Sequence, residues 1–203
     1  MKKITYYAGN IFLLFVALLC VLPFLYMMIM SLKSTINAYD FRFSFSAVTF
    51  EHYEKILSNS TFIRYFLNSV IVAAAGVALT LFTSCTAGYA FAKLKFKGND
   101  RIFLLLILTM LVPSEIILVP LYLIVRGFGW ANTFKALILP LPTAFGVFIM
   151  RQAILSVPNE LIDSAKIDGA SDFRILRCVV LPLVKSAMLT LAIFTFIGAW
   201  NNF

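Results

Sequence analysis

Apolar residues run almost unbroken through most of this chain, and the polar stretches between them divide it. Five apolar runs, near 10–31, 66–92, 102–125, 134–150 and 183–203, are long enough to cross about 30 Å of hydrocarbon as helix. Helix is the expected form, because unpaired backbone amides in lipid cost too much and the alternation of a barrel strand is absent. The pattern therefore predicts an all-α fold, a polytopic membrane helical bundle formed as one domain over residues 1–203. One long polar break is "SVPNELIDSAKIDGASDFRILRCVVLPL", within a loop over 151–182.

Within the runs, small and proline residues modulate the pattern. Gly76, Thr80, Ser84, Gly88 and Ala92 recur at intervals of four, so they share one helical face, and such a stripe lets a second helix approach closely. In the third run Pro113 and Pro120 bracket Glu115; each proline removes a backbone donor and bends a helix. A carboxylate at that depth is expected to face inward, either lining a solute path or satisfying backbone freed by the prolines. Pro140 and Pro142 predict a further bend. The segment Ser31 to Tyr65 reads as a surface loop in which "FRFSFSAV" alternates like a strand with nothing to pair with, and His52 as a solvated residue. Asn59-Ser60-Thr61 fits a glycosylation sequon, a pattern common by chance.

Composition agrees with the pattern: 62% hydrophobic and 13% charged residues, with mean hydropathy +0.95, against roughly a quarter charged in soluble domains. The net charge of +8 matters through its distribution. With the N-terminus in the cytoplasm, eleven cations fall inside (Lys2, Lys3, Lys93, Lys95, Lys97, Arg101, Arg151, Lys166, Arg174, Arg177, Lys185) and six outside, as the positive-inside rule requires. That orientation makes the 151–182 loop cytoplasmic, in a multi-pass protein of the cell membrane. The run after Lys2 and Lys3 is longer than a signal core and no small-x-small site follows it, so it reads as a retained anchor. Cys20, Cys85 and Cys178 are too scattered for a disulfide framework or a metal site.

The loop parses as two short helices. Pro158 suits a first turn, Glu160 and Asp163 complement the helix N-terminus, and Gly169 supplies the left-handed turn that ends the first helix. Ser171 is placed to cap the second, where Phe173, Leu176 and Val180 share one face with Ile175 and Val179 beside them. Pro182 marks re-entry into the bilayer. No nucleophile with a base, metal cluster or phosphate-cradling glycine loop occurs, so neither enzymatic chemistry, a cofactor nor nucleic acid is implied.

The residues here go beyond pattern. Asp163-Ser164-Ala165, three residues, Gly169, nine residues, then Val179-Val180-Leu181-Pro182 resembles the EAA motif of the permease subunits of ABC importers. Asp163 stands where the family usually has glutamate and Ser164 where it has alanine. "NSVIVAAAGVALTLFTSCTAGYAFAKLKFKG", "MLVPSEIILVPLYLI", "VPNEL", "KIDGAS" and "FIGAWNNF" are similar to the carbohydrate-importer branch, in particular the second permease of maltose-type and glycerol-phosphate-type systems, over roughly Thr49 to Phe203.

What the resemblance implies is a type I importer permease working with a second permease subunit, two cytosolic ATP-binding subunits, an extracytoplasmic solute-binding protein and a sugar substrate. The loop would be the coupling element: Glu160 and Asp163 meeting basic groups on the ATPase, Ser164, Ala165, Asp168, Gly169 and Ala170 forming the motif and its turn, Leu181-Pro182 fixing the loop to the fifth span. Asn201 and Asn202 lie where the family usually carries Trp-Asn-Glu and, with Glu115, are the candidates for a translocation path. Family members have six spans and five are counted here, so either a fragment of a longer permease or a truncated, non-transporting product is expected. An ion-coupled secondary transporter would also explain an apolar bundle with Glu115 at depth, and would predict midplane ion sites and internal repeats, neither of which the sequence displays.

Overall fold

The computed structural model describes residues 2–33 and 48–201. They are almost entirely helical; the one β-type feature among them is an isolated antiparallel bridge between Lys33 and Val48. The alternating run ending at Val48 otherwise lies outside the described residues. The chain separates into two compact units, 1–65 and 66–203.

In the first unit, α1 (Lys2–Ser31) is a single long helix, followed by the short helix α2 (Glu51–Leu57). His52 is not a freely solvated residue: its Nε2 pairs with the Lys33 carbonyl at 2.9 Å. The Lys55 ammonium bonded to Glu51 holds that carboxyl below the usual carboxylate range. Asn59 Oδ1 accepts from the amides of Thr61 at 3.0 Å and Phe62 at 3.3 Å, which makes it the cap of the next helix, α3 (Ser60–Lys93).

The second unit is organised around α3. Gly76, Thr80, Ser84 and Gly88 are all buried, on the face where the four-residue spacing places them. Opposite them runs α7 (Ala144–Leu155), which contributes its own small residue: a Cβ on Gly146 would collide with Ser84 Oγ, and one on Gly88 would lie 2.9 Å from Met150 Cβ. A side chain at Gly76 would strike Leu141 in the turn before α7.

The third apolar run is not one straight helix. α4 (Asn99–Leu108) ends in a 3₁₀ turn at Thr109–Leu111, and α5 (Ser114–Gly127) leaves at 102° to it, with Pro113 at the break. Pro120 is accommodated inside α5. The fourth run is similarly divided, into α6 (Phe134–Ile138) and α7, with Pro140 and Pro142 between them. α8 (Asn159–Ile167), α9 (Asp172–Ile175), a π-helical turn (Leu176–Val180) and α10 (Leu181–Leu183) follow, and α11 (Lys185–Asn201) departs at 85°. By length and composition two helices can cross a membrane alone, or up to four segments if each bent pair is one span.

Candidate functional site

The polar loop 151–182 is the place where exposed charge and buried core meet. α8 begins after Pro158, which holds ψ at 136° and so sits just ahead of the first helical residue instead of within the first turn. It ends in a Schellman motif: the Ala170 amide donates to the Ala165 carbonyl and the Gly169 amide to the Lys166 carbonyl, each at 3.0 Å. Gly169 has φ +76°, the left-handed conformation that closes this motif and strains any residue with a Cβ. Ser164 Oγ donates back to the Glu160 carbonyl at 2.8 Å. Ser171 occupies the cap position of α9 in extended conformation, yet its hydroxyl makes no capping bond; Ser171 is held through its carbonyl, which accepts from the Ile175 amide at 2.9 Å.

The faces of the second helix differ from the expected ones. Ile175, Leu176 and Val180 are buried, and so is Val184 beyond the turn, while Phe173 is 61% exposed. The π turn over Leu176–Val180 widens the helix there, so Ile175 and Val180, five positions apart, both stay buried, while Phe173 in the α-helical turn ahead of it lies outside that face. Pro182, lacking the amide that an α-helix would aim at the Cys178 carbonyl, lies where such a departure is tolerated.

The buried side joins the loop to the rest of the second unit. Ile162, Ile175, Leu176, Val180 and Val184 share one core with Cys85 and Tyr89 of α3, Met150 and Ile154 of α7 and Leu191 of α11. Ala165, Ala170 and Leu181 pack against its margin. Polar ties reinforce the attachment to α3: Tyr89 OH donates to Asp172 Oδ1 at 3.2 Å, and Lys93 Nζ to the Val157 carbonyl at 2.7 Å and Asn159 Oδ1 at 2.8 Å. Arg151 Nε reaches the Phe91 carbonyl at 3.3 Å with its guanidinium 4.0 Å from the Phe103 ring centroid.

The opposite side faces away from the chain. Glu160, Asp163, Ser164, Asp168, Gly169 and Pro182 are exposed, as is Ile167, at 86% the most exposed large apolar residue among those described. The loop thus presents acid and an apolar tip outward on a base packed into the bundle.

Glu115 lies elsewhere and is not covered by the described residues. The break at Pro113 turns it into a first-turn residue of α5, exposed, with Ser114 Oγ donating to its Oε1 at 3.0 Å. A helix start offers a carboxylate unpaired backbone amides, so Glu115 need not face inward as expected. Asn201 ends α11 and is exposed; Asn202 lies outside the described residues. Sequence reasoning missed Tyr89, Asn99 and Gly146 and treated Lys93 and Arg151 only as orienting charges; their position at span ends, beside a loop that must be anchored, was the available signal. Asn99 Nδ2 donates to the Leu94 carbonyl at 2.9 Å, closing the turn that leads into α4.

Comparison with known proteins agrees with this architecture. Residues 81–203 match the family model of binding-protein-dependent transport system inner membrane components. A lactose transport system permease protein, LacG, from Rhizobium radiobacter is 31% identical over 188 residues, covering 92% of this chain and 69% of the relative. An arabinooligosaccharides transport system permease protein, AraQ, from Halalkalibacterium halodurans is 33% identical over 195 residues, 93% of this chain and 70% of the relative. A solved chain of a bacterial ABC transporter involved in the import of the acidic polysaccharide alginate superposes with a TM-score of 0.90 at 24% identity, over 98% of this chain and 72% of that one, which establishes the common fold. With its helical bundle and these permease relatives, the chain belongs to the family of binding-protein-dependent transport system inner membrane components, the membrane permeases of ABC import systems.

Proposed function

We propose that the chain is the permease subunit of an ATP-driven importer for a sugar or sugar-like solute, and that the 151–182 loop couples it to a cytosolic ATPase. The observation that carries this reading is the two-sided loop: Ile162, Ile175 and Val180 buried with Tyr89, Met150 and Ile154, against Glu160, Asp163, Ile167 and Asp168 turned outward. A loop lying passively on a membrane would direct its apolar residues to lipid; this one directs them into the bundle and offers acid and one apolar tip to a partner. The names of the relatives support a sugar as the solute.

In the mechanism, Glu160 and Asp163 meet basic groups on the ATPase and Ile167 enters an apolar recess beside them. ATP-driven closure of two ATPase subunits then displaces α8. Because α8 shares a core with α3, α7 and α11, and because Lys93 and Tyr89 tie both loop helices to α3, the displacement moves the spans with it instead of bending the loop. A second permease subunit completes the pathway, an extracytoplasmic solute-binding protein delivers the solute, and the N-terminus is cytoplasmic. Glu115, Asn201 and Asn202 are assigned to the translocation path, where a partner helix would supply the wall that this chain leaves open. The test is uptake of labelled sugar by vesicles containing the full system. Gly169→Val, which forces a β-branched residue into φ +76°, is expected to leave membrane insertion intact and abolish transport. Uptake that persists with the ATPase inactivated would overturn the proposal.

A further inference from the structure

A cleft of about 980 Å³ opens between the turn joining α3 to α4 and the first half of the polar loop. Its lining brings together five cations, Lys93, Lys95, Lys97, Arg151 and Lys166, against two carboxylates, Asp100 and Asp163. Two of the cations are already engaged: Lys93 with Val157 and Asn159, Arg151 with the Phe91 carbonyl and the Phe103 ring. Among the described residues no carboxylate lies within ion-pair distance of Lys95, Lys97 or Lys166, so these three line the cleft without an ion pair and its lining keeps an excess of positive charge over Asp100 and Asp163.

We propose that this cleft binds the headgroup phosphate of an anionic phospholipid from the cytoplasmic leaflet. The site lies at the C-terminal end of Ser60–Lys93, a helix long and apolar enough to cross a membrane, and lysines gathered just beyond such an end mark the cytoplasmic margin of a span. Its wall is mixed: beside the ammonium groups stand Leu94, Phe96 and Leu155, the last two 41% and 43% exposed. A free phosphate ion has no use for such a wall, whereas a lipid places its phosphate against the lysines and its glycerol and first methylenes against the apolar side chains. Basic pockets between spans on the cytoplasmic side recognise acidic headgroups through this combination of charge and depth. Asp163 and Lys166 line the cleft and belong to the loop, so a lipid held there would fasten the loop to the bilayer. The site rests on the orientation assigned above and needs no ATPase contact.

The experiment reconstitutes the full chain in nanodiscs of phosphatidylcholine with a minor fraction of photoactivatable phosphatidylglycerol, and maps the labelled peptides. Labelling is expected at residues 94–97 and 162–166. Lys95→Gln, Lys97→Gln and Lys166→Gln combined should lower it at least about tenfold, since each lysine at the membrane surface contributes about a factor of five. Arg174→Gln with Arg177→Gln, which removes cations that do not line the cleft, should leave it unchanged, and arginine at all three lysine positions should retain it. An equal fall in both glutamine variants would mean diffuse attraction and overturn the site. So would displacement of the label by millimolar glycerol phosphate, which would identify a soluble anion, or its loss when the ATPase subunits are added, which would assign the cleft to a protein. Because labelling requires no nucleotide, intact labelling in a chain that fails to couple would separate this inference from the proposed function.

Discussion

The helices Lys2–Ser31 and Ser60–Lys93 are both long enough to cross a bilayer, and the more apolar of the two is the one with nothing buried among its described side chains. The window within Gly9–Ser31 has a mean hydropathy of 2.7 and no buried residue; that within Ser60–Lys93 has 2.0 and a third of its residues buried. In water the order would be reversed, since burial follows apolar area. In lipid the surrounding tails are as apolar as leucine, so composition carries a helix into the bilayer without attaching it to another, and attachment comes from small residues that let backbones approach. α3 has Gly76, Thr80, Ser84 and Gly88 on one face; α1 has no such stripe.

The sharpest way to break this contrast is to place the same side chain in both helices. Gly88→Val would put a Cβ 2.9 Å from Met150 Cβ and 3.0 Å from the Arg151 amide, a clash with backbone that cannot swing aside. Thermal unfolding in detergent should show a loss of about 3 kcal/mol or more, beyond ordinary overpacking. Gly9→Val has open space around it and should leave the transition where it was.

Gly169→Ala separates room from backbone geometry, because nothing lies within 4 Å of the added Cβ but φ is +76°. It should cost about 1–2 kcal/mol in the same assay, less than Gly88→Val because only the backbone conformation, and no crowding, opposes it. Smaller again are the hydroxyls of the stripe. Thr80 Oγ1 and Ser84 Oγ are buried and without a hydrogen-bond partner, so Thr80→Val and Ser84→Ala should be neutral or stabilising by up to about 1 kcal/mol. A clear destabilisation would show that hydroxyl bonding, and not close approach, holds α3 to α7.

The smallest effect belongs to the first unit. Glu51 has its pKa lowered by Lys55, so whatever it contributes is present above the ordinary carboxylate range and lost as pH falls through its folded value. Being fully exposed, the pair should be silent: Glu51→Gln should leave the melting curve unchanged on either side of that range.

The stripe on α3, the break near Pro113 and the turn at Gly169 were legible because each has a local cause, a spacing or a residue type that dictates the backbone. The mate of the stripe was not, since Gly146 gains its meaning only from what lies across from it. Phe173 was assigned to a buried face because a regular 3.6-residue period was assumed, and no residue between Leu176 and Val180 announces a wider turn. Glu115 was expected to face inward from within a bent span; because the helix restarts at Ser114, it stands instead in a first turn and is exposed. The anchors Tyr89, Lys93 and Arg151 escaped notice because their partners are 60 or more positions away in sequence.

The wide turn at Leu176–Val180 has one more consequence. Each residue added to a helix advances it by roughly 100°, so the surplus position re-aims everything downstream of it. Comparing this chain letter by letter with a cousin that lacks the surplus would pair identical symbols pointing in unlike directions. Deleting Cys178 alone, an exposed residue, should swing Lys185–Asn201 about the axis of the preceding helix, to which it stands at 85°.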